Sequence, residues 1–237
     1  MNKVNEFAKM IDHSLLHPTM TDSDLQDGCL VANKYNVASV CIKPYAVKKA
    51  KEWLKNSDVL VGTVIGFPHG NSATDIKVEE TRKACNDGAV EIDMVVNIGK
   101  VLGEDWGYVQ NEINRISEET HNHNAILKVI FENDFLPHDS YKIKLCELCA
   151  EAGADFVKTS TGYGFVKGAD GAYSYRGATE HDLKLMREHS PSHVQVKAAG
   201  GVRTLDDLIK VKNLGVTRVG ATATVTMLDE AKRRFKD

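Results

Sequence analysis

Two lysines stand in closely matched surroundings. Lys158 lies in DFVKTSTG and Lys197 in VQVKAAGG, each after a valine and before small residues and a glycine. About one strand–helix unit separates them, so they fall on neighbouring strands at similar height. Two ammonium groups held close together repel, which lowers the pKa of at least one, and partial burial acts in the same direction. A lysine that is neutral near physiological pH is a nucleophile toward carbonyls. The pair therefore meets the requirement for Schiff-base catalysis. Asp93, in VEIDMVVN, supplies a carboxylate inside another strand. The same residues also fit a blander reading, two lysines in structural salt bridges with Asp93 as partner. Two lysines at matched strand ends beside a carboxylate favour catalysis over structure.

A second pattern suits an anion. AAGGVRT and RVGATAT close two apolar runs near the C-terminus. Gly200 and Gly201 let the backbone approach a phosphate closely, and Gly220, Ala221 and Thr222 open the last helix. Tight strand-to-helix turns also need small residues, so the glycines alone leave both readings open.

What must position these groups is a recurring unit. A helix ends at a glycine and a β-branched strand follows at once, as in NDGAVEIDMVV, EAGADFVKTS and NLGVTRVGAT. The glycine supplies a left-handed cap, and the apolar runs fit parallel strands buried on both faces. Eight strands are predicted: Ile11–His13, Ala38–Ile42, Leu60–Gly66, Val90–Asn97, Ile126–Phe131, Asp155–Thr159, Val194–Ala198 and Arg218–Ala221. Amphipathic stretches alternate with them, several opening on Thr, Ser or Asp as N-caps. Strict alternation implies a parallel sheet, and eight repeats imply a closed (β/α)8 TIM barrel, here with a short N-terminal helix. An open doubly wound sheet would prefer a glycine-rich dinucleotide turn after an early strand, and the sequence shows none.

The chain has 237 residues, 42% of them hydrophobic, which suits one domain over 1–237 with a substantial core. The formal net charge is −3, and no basic stretch is long enough to serve as a nucleic-acid face. The start of the sequence lacks the apolar core of a signal peptide, and no apolar run approaches the roughly 20 residues that cross a bilayer. The five cysteines are odd in number and scattered, which fits a reducing cytoplasm. Cys146 and Cys149 form a CxxC within a helical pattern, without a second Cys/His pair at zinc spacing, and are read as buried thiols.

FVKTSTG, VKAAGGVR, EIDMV, the early IDHSLL and FPHG resemble the blocks of the deoxyribose-phosphate aldolase family, in that family's order; the lysine block is highly specific, and FPHG alone is weak. The resemblance runs from about Ile11 to about Leu228. It implies a class I aldolase, free of metal and cofactor, that reversibly cleaves 2-deoxy-D-ribose 5-phosphate to acetaldehyde and D-glyceraldehyde 3-phosphate. By position, Lys158 matches the Schiff-base lysine, Lys197 the lysine that depresses its pKa, and Asp93 the acid/base carboxylate. Asp12, Cys41, Lys128 and Thr161 match other site-lining residues, and Gly200, Gly201, Gly220 and Thr222 the phosphate region. Family precedent implies a homodimer or homotetramer acting on small-molecule phosphosugar and aldehyde substrates, with neither nucleic acid nor membrane as partner.

Three features depart from the family pattern. The segment from Tyr163 to Arg176 is longer than in many relatives and sits beside Lys158. It is compatible with a lid, a subunit contact or a surface excursion. Ala223 lacks a hydroxyl that relatives often carry, a loss that Lys167 or Arg176 would compensate. The sequence ends in RRFKD, without the terminal tyrosine of some relatives. Competing readings are an aldolase of the same family acting on an unphosphorylated sugar, a metal-dependent aldolase, and a non-catalytic phosphosugar-binding barrel.

Overall fold

The computed structural model describes residues 2–235; the end of RRFKD, Lys236 and Asp237, lies outside them. The strands are β1 (Ile11–Leu15), β2 (Ser39–Ile42), β3 (Leu60–Ile65), β4 (Glu91–Val95), β5 (Ile126–Ile130), β6 (Phe156–Lys158), β7 (Val166–Lys167), β8 (Tyr173–Ser174), β9 (Gln195–Ala199) and β10 (Arg218–Ala221). The helices are α1 (Lys3–Ala8), α2 (Asp22–Tyr35), α3 (Val47–Trp53), α4 (Thr74–Asn86), α5 (Ile98–Leu102), α6 (Trp106–Asn122), α7 (Asp139–Glu151), α8 (Glu180–Glu188), α9 (Leu205–Asn213) and α10 (Thr224–Arg234).

All eight predicted strands form, each parallel to its neighbours, in a closed barrel of order β1-β10-β9-β6-β5-β4-β3-β2. The chain is thus a (β/α)8 barrel with a short N-terminal helix, as the alternation implied. Gly88, Gly153 and Gly215 follow α4, α7 and α9 with φ of 109°, 70° and 86°, the left-handed caps read from the sequence. Thr21 and Thr204 close capping boxes with Asp24 and Asp207 at the starts of α2 and α9. The expected polar cap fails at α4, where Ala73 stands at the cap without a side-chain bond.

Register aligns the chemistry. Lys158 on β6 is paired with Lys197 on β9, and Lys197 with Arg218 on β10. Asp93 on β4 is paired with Lys128 on β5. The apolar core occupies the layer between barrel and helices, and Cys146 and Cys149 are both buried in it. A separate small cluster of Leu16, Cys41 and Val64, with Phe67 and Tyr163 against it, sits apart from that layer.

The β7–β8 pair was not anticipated. It is an antiparallel hairpin formed by the long segment after Gly162. Among the described residues no helix is long and apolar enough to cross a membrane.

Candidate active site

The inside of the barrel is charged. Asp12, Glu91 and Asp93 meet Lys128, Lys158, Lys197 and Arg218 in one connected network. Asp93 Oδ2 accepts from both Lys158 Nζ and Lys197 Nζ at 2.7 Å. Its other oxygen accepts from Lys128 at 3.0 Å. Lys128 also donates to Glu91 at 2.6 Å, and Lys197 lies 2.5 Å from Asp12. Arg218 bridges Asp12 at 2.5 Å and Glu91 at 2.9 Å, and Ser39 donates to Asp12 at 2.7 Å. Ions this deeply buried persist only when mutually paired, and here each cation has at least one carboxylate.

The pairing is lopsided by one charge: four basic groups face three acidic ones. One base can therefore shed its proton and leave the interior neutral. Lys158 is the candidate, because burial lowers its pKa, the Lys197 charge lowers it further, and Asp93 alone opposes them strongly. Burial also disfavours charge on Lys128 and Lys197, but two or three carboxylates each outweigh it and raise both. Asp93, which burial would push upward, is held well below the usual carboxylate range by Lys128, Lys158 and Lys197. Lys158 is thus the one lysine of the three shifted toward the free amine. Of the two lowering causes expected from the sequence, burial is the larger and the neighbouring Lys197 charge the smaller.

Lys158 and Lys197 reach a cleft of about 340 Å³ at the barrel mouth. Cys41, Thr161, Gly200, Gly201, Gly220 and Thr222 line it, as expected of them, together with Tyr163, Phe165, Tyr175 and Arg203. Asp12, Asp93 and Lys128 do not line it. They are 0%, 0% and 1% exposed and lie beneath the two amines. Asp12 and Lys128, grouped by the sequence reading with substrate-binding residues, instead hold Lys197 and Asp93 in place. Cys41 is a protonated thiol, pushed up to about 11 by burial and then by Asp93.

The cleft wall has its own supports. Glu132, at φ 59°, follows β5 and accepts from the Thr161 N–H at 3.2 Å and from its hydroxyl. That fixes the turn carrying Thr161 just past Lys158. Tyr163 packs edge-on against Phe67 of FPHG at 5.6 Å. Lys167 and Arg176, the expected substitutes for the hydroxyl missing at Ala223, lie outside the cleft lining; the basic side chain lining that region is Arg203. Ala223 caps α10 without a side-chain bond, and Thr224 in its first turn meets His13 Nδ1 at 2.8 Å.

The histidine pair closest in sequence, His121 and His123, is divided between two partners. His121 meets Asp155 at 2.9 Å and His123 meets Glu119 at 3.3 Å, separate carboxylates. Among the described residues, Asp139, His181 and Asp182 have ligand-like spacing. The Lys142 ammonium bridges the two aspartates at 3.2 and 2.5 Å, where a cation would sit.

A closed parallel barrel with a buried lysine at the floor of its mouth, shifted toward the free amine, suits an enzyme that works on carbonyl compounds. The chain belongs to the DeoC/LacD family of aldolases, whose model matches residues 7–223. It is 50% identical over 231 residues to a deoxyribose-phosphate aldolase of Rhodopirellula baltica, covering 98% of this chain and 91% of that one. A deoxyribose-phosphate aldolase of Thermococcus gammatolerans is 43% identical, with 96% and 97% covered. Among solved structures, an aldolase called QR15 superposes with TM-score 0.87 at 33% identity, covering 97% of both chains. The tetrameric deoxyribose phosphate aldolase of Aeropyrum pernix gives 0.86 at 27%, covering 97% and 92%.

Proposed function

We propose that this enzyme reversibly cleaves 2-deoxy-D-ribose 5-phosphate to acetaldehyde and D-glyceraldehyde 3-phosphate through an imine on Lys158. The observation that carries the reading is the buried Lys158 amine, shifted toward its neutral form, at the floor of the cleft and 2.7 Å from Asp93.

Neutral Lys158 Nζ adds to the C1 aldehyde of the open-chain sugar, and uptake of one proton from solvent with loss of water gives the protonated imine. Asp93 takes the C3 hydroxyl proton by way of a water, while Lys197, hydrogen-bonded to Asp93 and reaching the cleft, remains cationic. The C2–C3 electron pair moves into the iminium, giving an enamine and releasing D-glyceraldehyde 3-phosphate. Protonation at C2 and hydrolysis then return acetaldehyde and the free amine. The iminium is the electron sink, so the reading calls for neither metal nor organic cofactor. Gly200, Gly201, Gly220 and Thr222, with Arg203 beside them, are the proposed phosphate end.

The assembly proposed is a homodimer or homotetramer in the cytoplasm, the tetrameric Aeropyrum pernix relative supporting the oligomer. Borohydride trapping with acetaldehyde, followed by peptide mapping, tests nucleophile and donor together. A reduced ethyl adduct on Lys158 is expected; an adduct confined to another lysine overturns the assignment. The aromatic lining from Tyr163, Phe165 and Tyr175 keeps one alternative alive, a free deoxy sugar as substrate. Comparing turnover of deoxyribose with that of its 5-phosphate decides between them.

A further inference from the structure

We propose that the Tyr175 hydroxyl reads the substrate phosphate together with Arg203, an inference that rests on the phosphosugar reading above. Tyr175 comes from the hairpin segment, yet its ring faces the cleft. It is held there from several directions. The Asp134 carboxylate accepts from the N–H groups of Arg176 and Gly177, the next two residues, at 2.7 and 2.9 Å. The Ala178 N–H then donates to the Gly200 carbonyl at 3.0 Å. Gly177 and Gly200 pack backbone to backbone, so closely that a Cβ on Gly177 would lie 2.7 Å from the Gly200 oxygen. Phe165, on the outgoing arm, meets the Tyr175 ring edge-on at 5.1 Å.

This anchoring lays the ring on the turn proposed to receive the anion. A Cβ added to Gly200 would stand 3.3 Å from Tyr175 Cε2. Arg203 Nη2 donates to the Tyr175 oxygen across 3.5 Å, a long contact that joins the two side chains at the cleft rim. A phenol that accepts from a guanidinium still has its own proton to give. Its natural recipient is an anionic oxygen that the same guanidinium attracts. The turn at 221–223 offers one side-chain hydroxyl, Thr222, because Ala221 and Ala223 have none. Tyr175, lying on the neighbouring Gly200 turn, supplies a second.

The test is Tyr175→Phe, which keeps the ring and its packing and removes only the hydroxyl. Loss of one hydrogen bond to a charged group predicts a rise of about tenfold in KM for 2-deoxyribose 5-phosphate. The kcat and the kcat/KM for unphosphorylated deoxyribose are expected to stay put. Competitive inhibition by inorganic phosphate is expected to weaken by a similar factor. Tyr173→Phe, on the exposed arm of the hairpin, serves as the control and changes neither value. Equal losses for both sugars would mean that Tyr175 only shapes the wall, and unchanged KM and phosphate inhibition would mean that it does not touch the anion; either result overturns the inference alone. A wild-type enzyme indifferent to the phosphate overturns it together with the functional reading.

Discussion

Lys128 and Lys158 occupy adjacent strands, are both almost wholly buried, and share Asp93 as a partner. At the waist of the barrel, Lys128 meets Asp12, Glu91 and Asp93 at 3.3, 2.6 and 3.0 Å, and its charged form is strongly favoured. At the mouth, Lys158 meets Asp93 alone and shares that carboxylate with Lys197, and its charged form is disfavoured. Burial is common to both regions; the number of carboxylates decides the sign. One scaffold thus makes a permanent cation and a nucleophile from the same side chain, on neighbouring strands.

The largest expected effect comes from deleting the mouth amine. Lys158→Ala should lower kcat by more than about 1,000-fold while the variant stays folded. Single-turnover assays and a circular dichroism melt check this, and a variant that still traps acetaldehyde on reduction would break the contrast. At the waist the expected result is the reverse in kind. Lys128→Met leaves buried carboxylates without their main cation and should cost about 3–5 kcal/mol of stability. Urea unfolding measures it; a loss below about 1 kcal/mol would show that the waist lysine is not the permanent cation described.

The rule that burial favours the neutral form unless carboxylates outweigh it has a third instance in His13, where burial acts alone. Burial alone lowers its pKa from the ordinary 6.5 to about 4. Since the native state refuses a proton that the unfolded chain accepts, stability is full above pH 6.5 and falls as pH drops toward 4. The contribution is about 3 kcal/mol over that window. His13→Gln should flatten this part of the stability–pH curve, and an unaltered slope would remove His13 from the rule. The smallest effect sharpens the role of the second mouth lysine. Lys197→Leu takes away one of the charges that hold Lys158 down, so Lys158 rises and the acid limb of the activity profile moves to higher pH. Activity near neutrality should fall about 10- to 100-fold. An acid limb that stays in place would leave burial as the whole cause.

Much of this was legible in the residues. The barrel followed from glycine-ended helices running into β-branched strands, a local signal that register later merely aligned. Lys158, Lys197 and Asp93 were legible because an ionisable group inside an apolar strand is costly and therefore purposeful. Glu91 was missed although it lies two residues before Asp93 and hence on the same face of its strand. Arg218 was passed over as the mere start of a strand. Depth was not legible. Asp12 and Lys128 look like cleft residues by position, but how far each strand is offset along the barrel places them below the amines. The hairpin arms β7 and β8 are two residues each, too short for any periodicity to show. The approach of Tyr175 to Arg203, 28 positions apart, depends on tertiary contacts alone.

The interior network ties together β1, β4, β5, β6, β9 and β10 through seven side chains. Residues that share partners do not act independently, and their substitutions couple by roughly 0.5–3 kcal/mol. Epistasis is therefore wired into the centre of this enzyme: an exchange tolerated at Glu91 depends on what stands at Arg218 and Lys128. Lineages carrying this barrel are expected to alter its heart in concerted pairs, while the outer helices drift one position at a time.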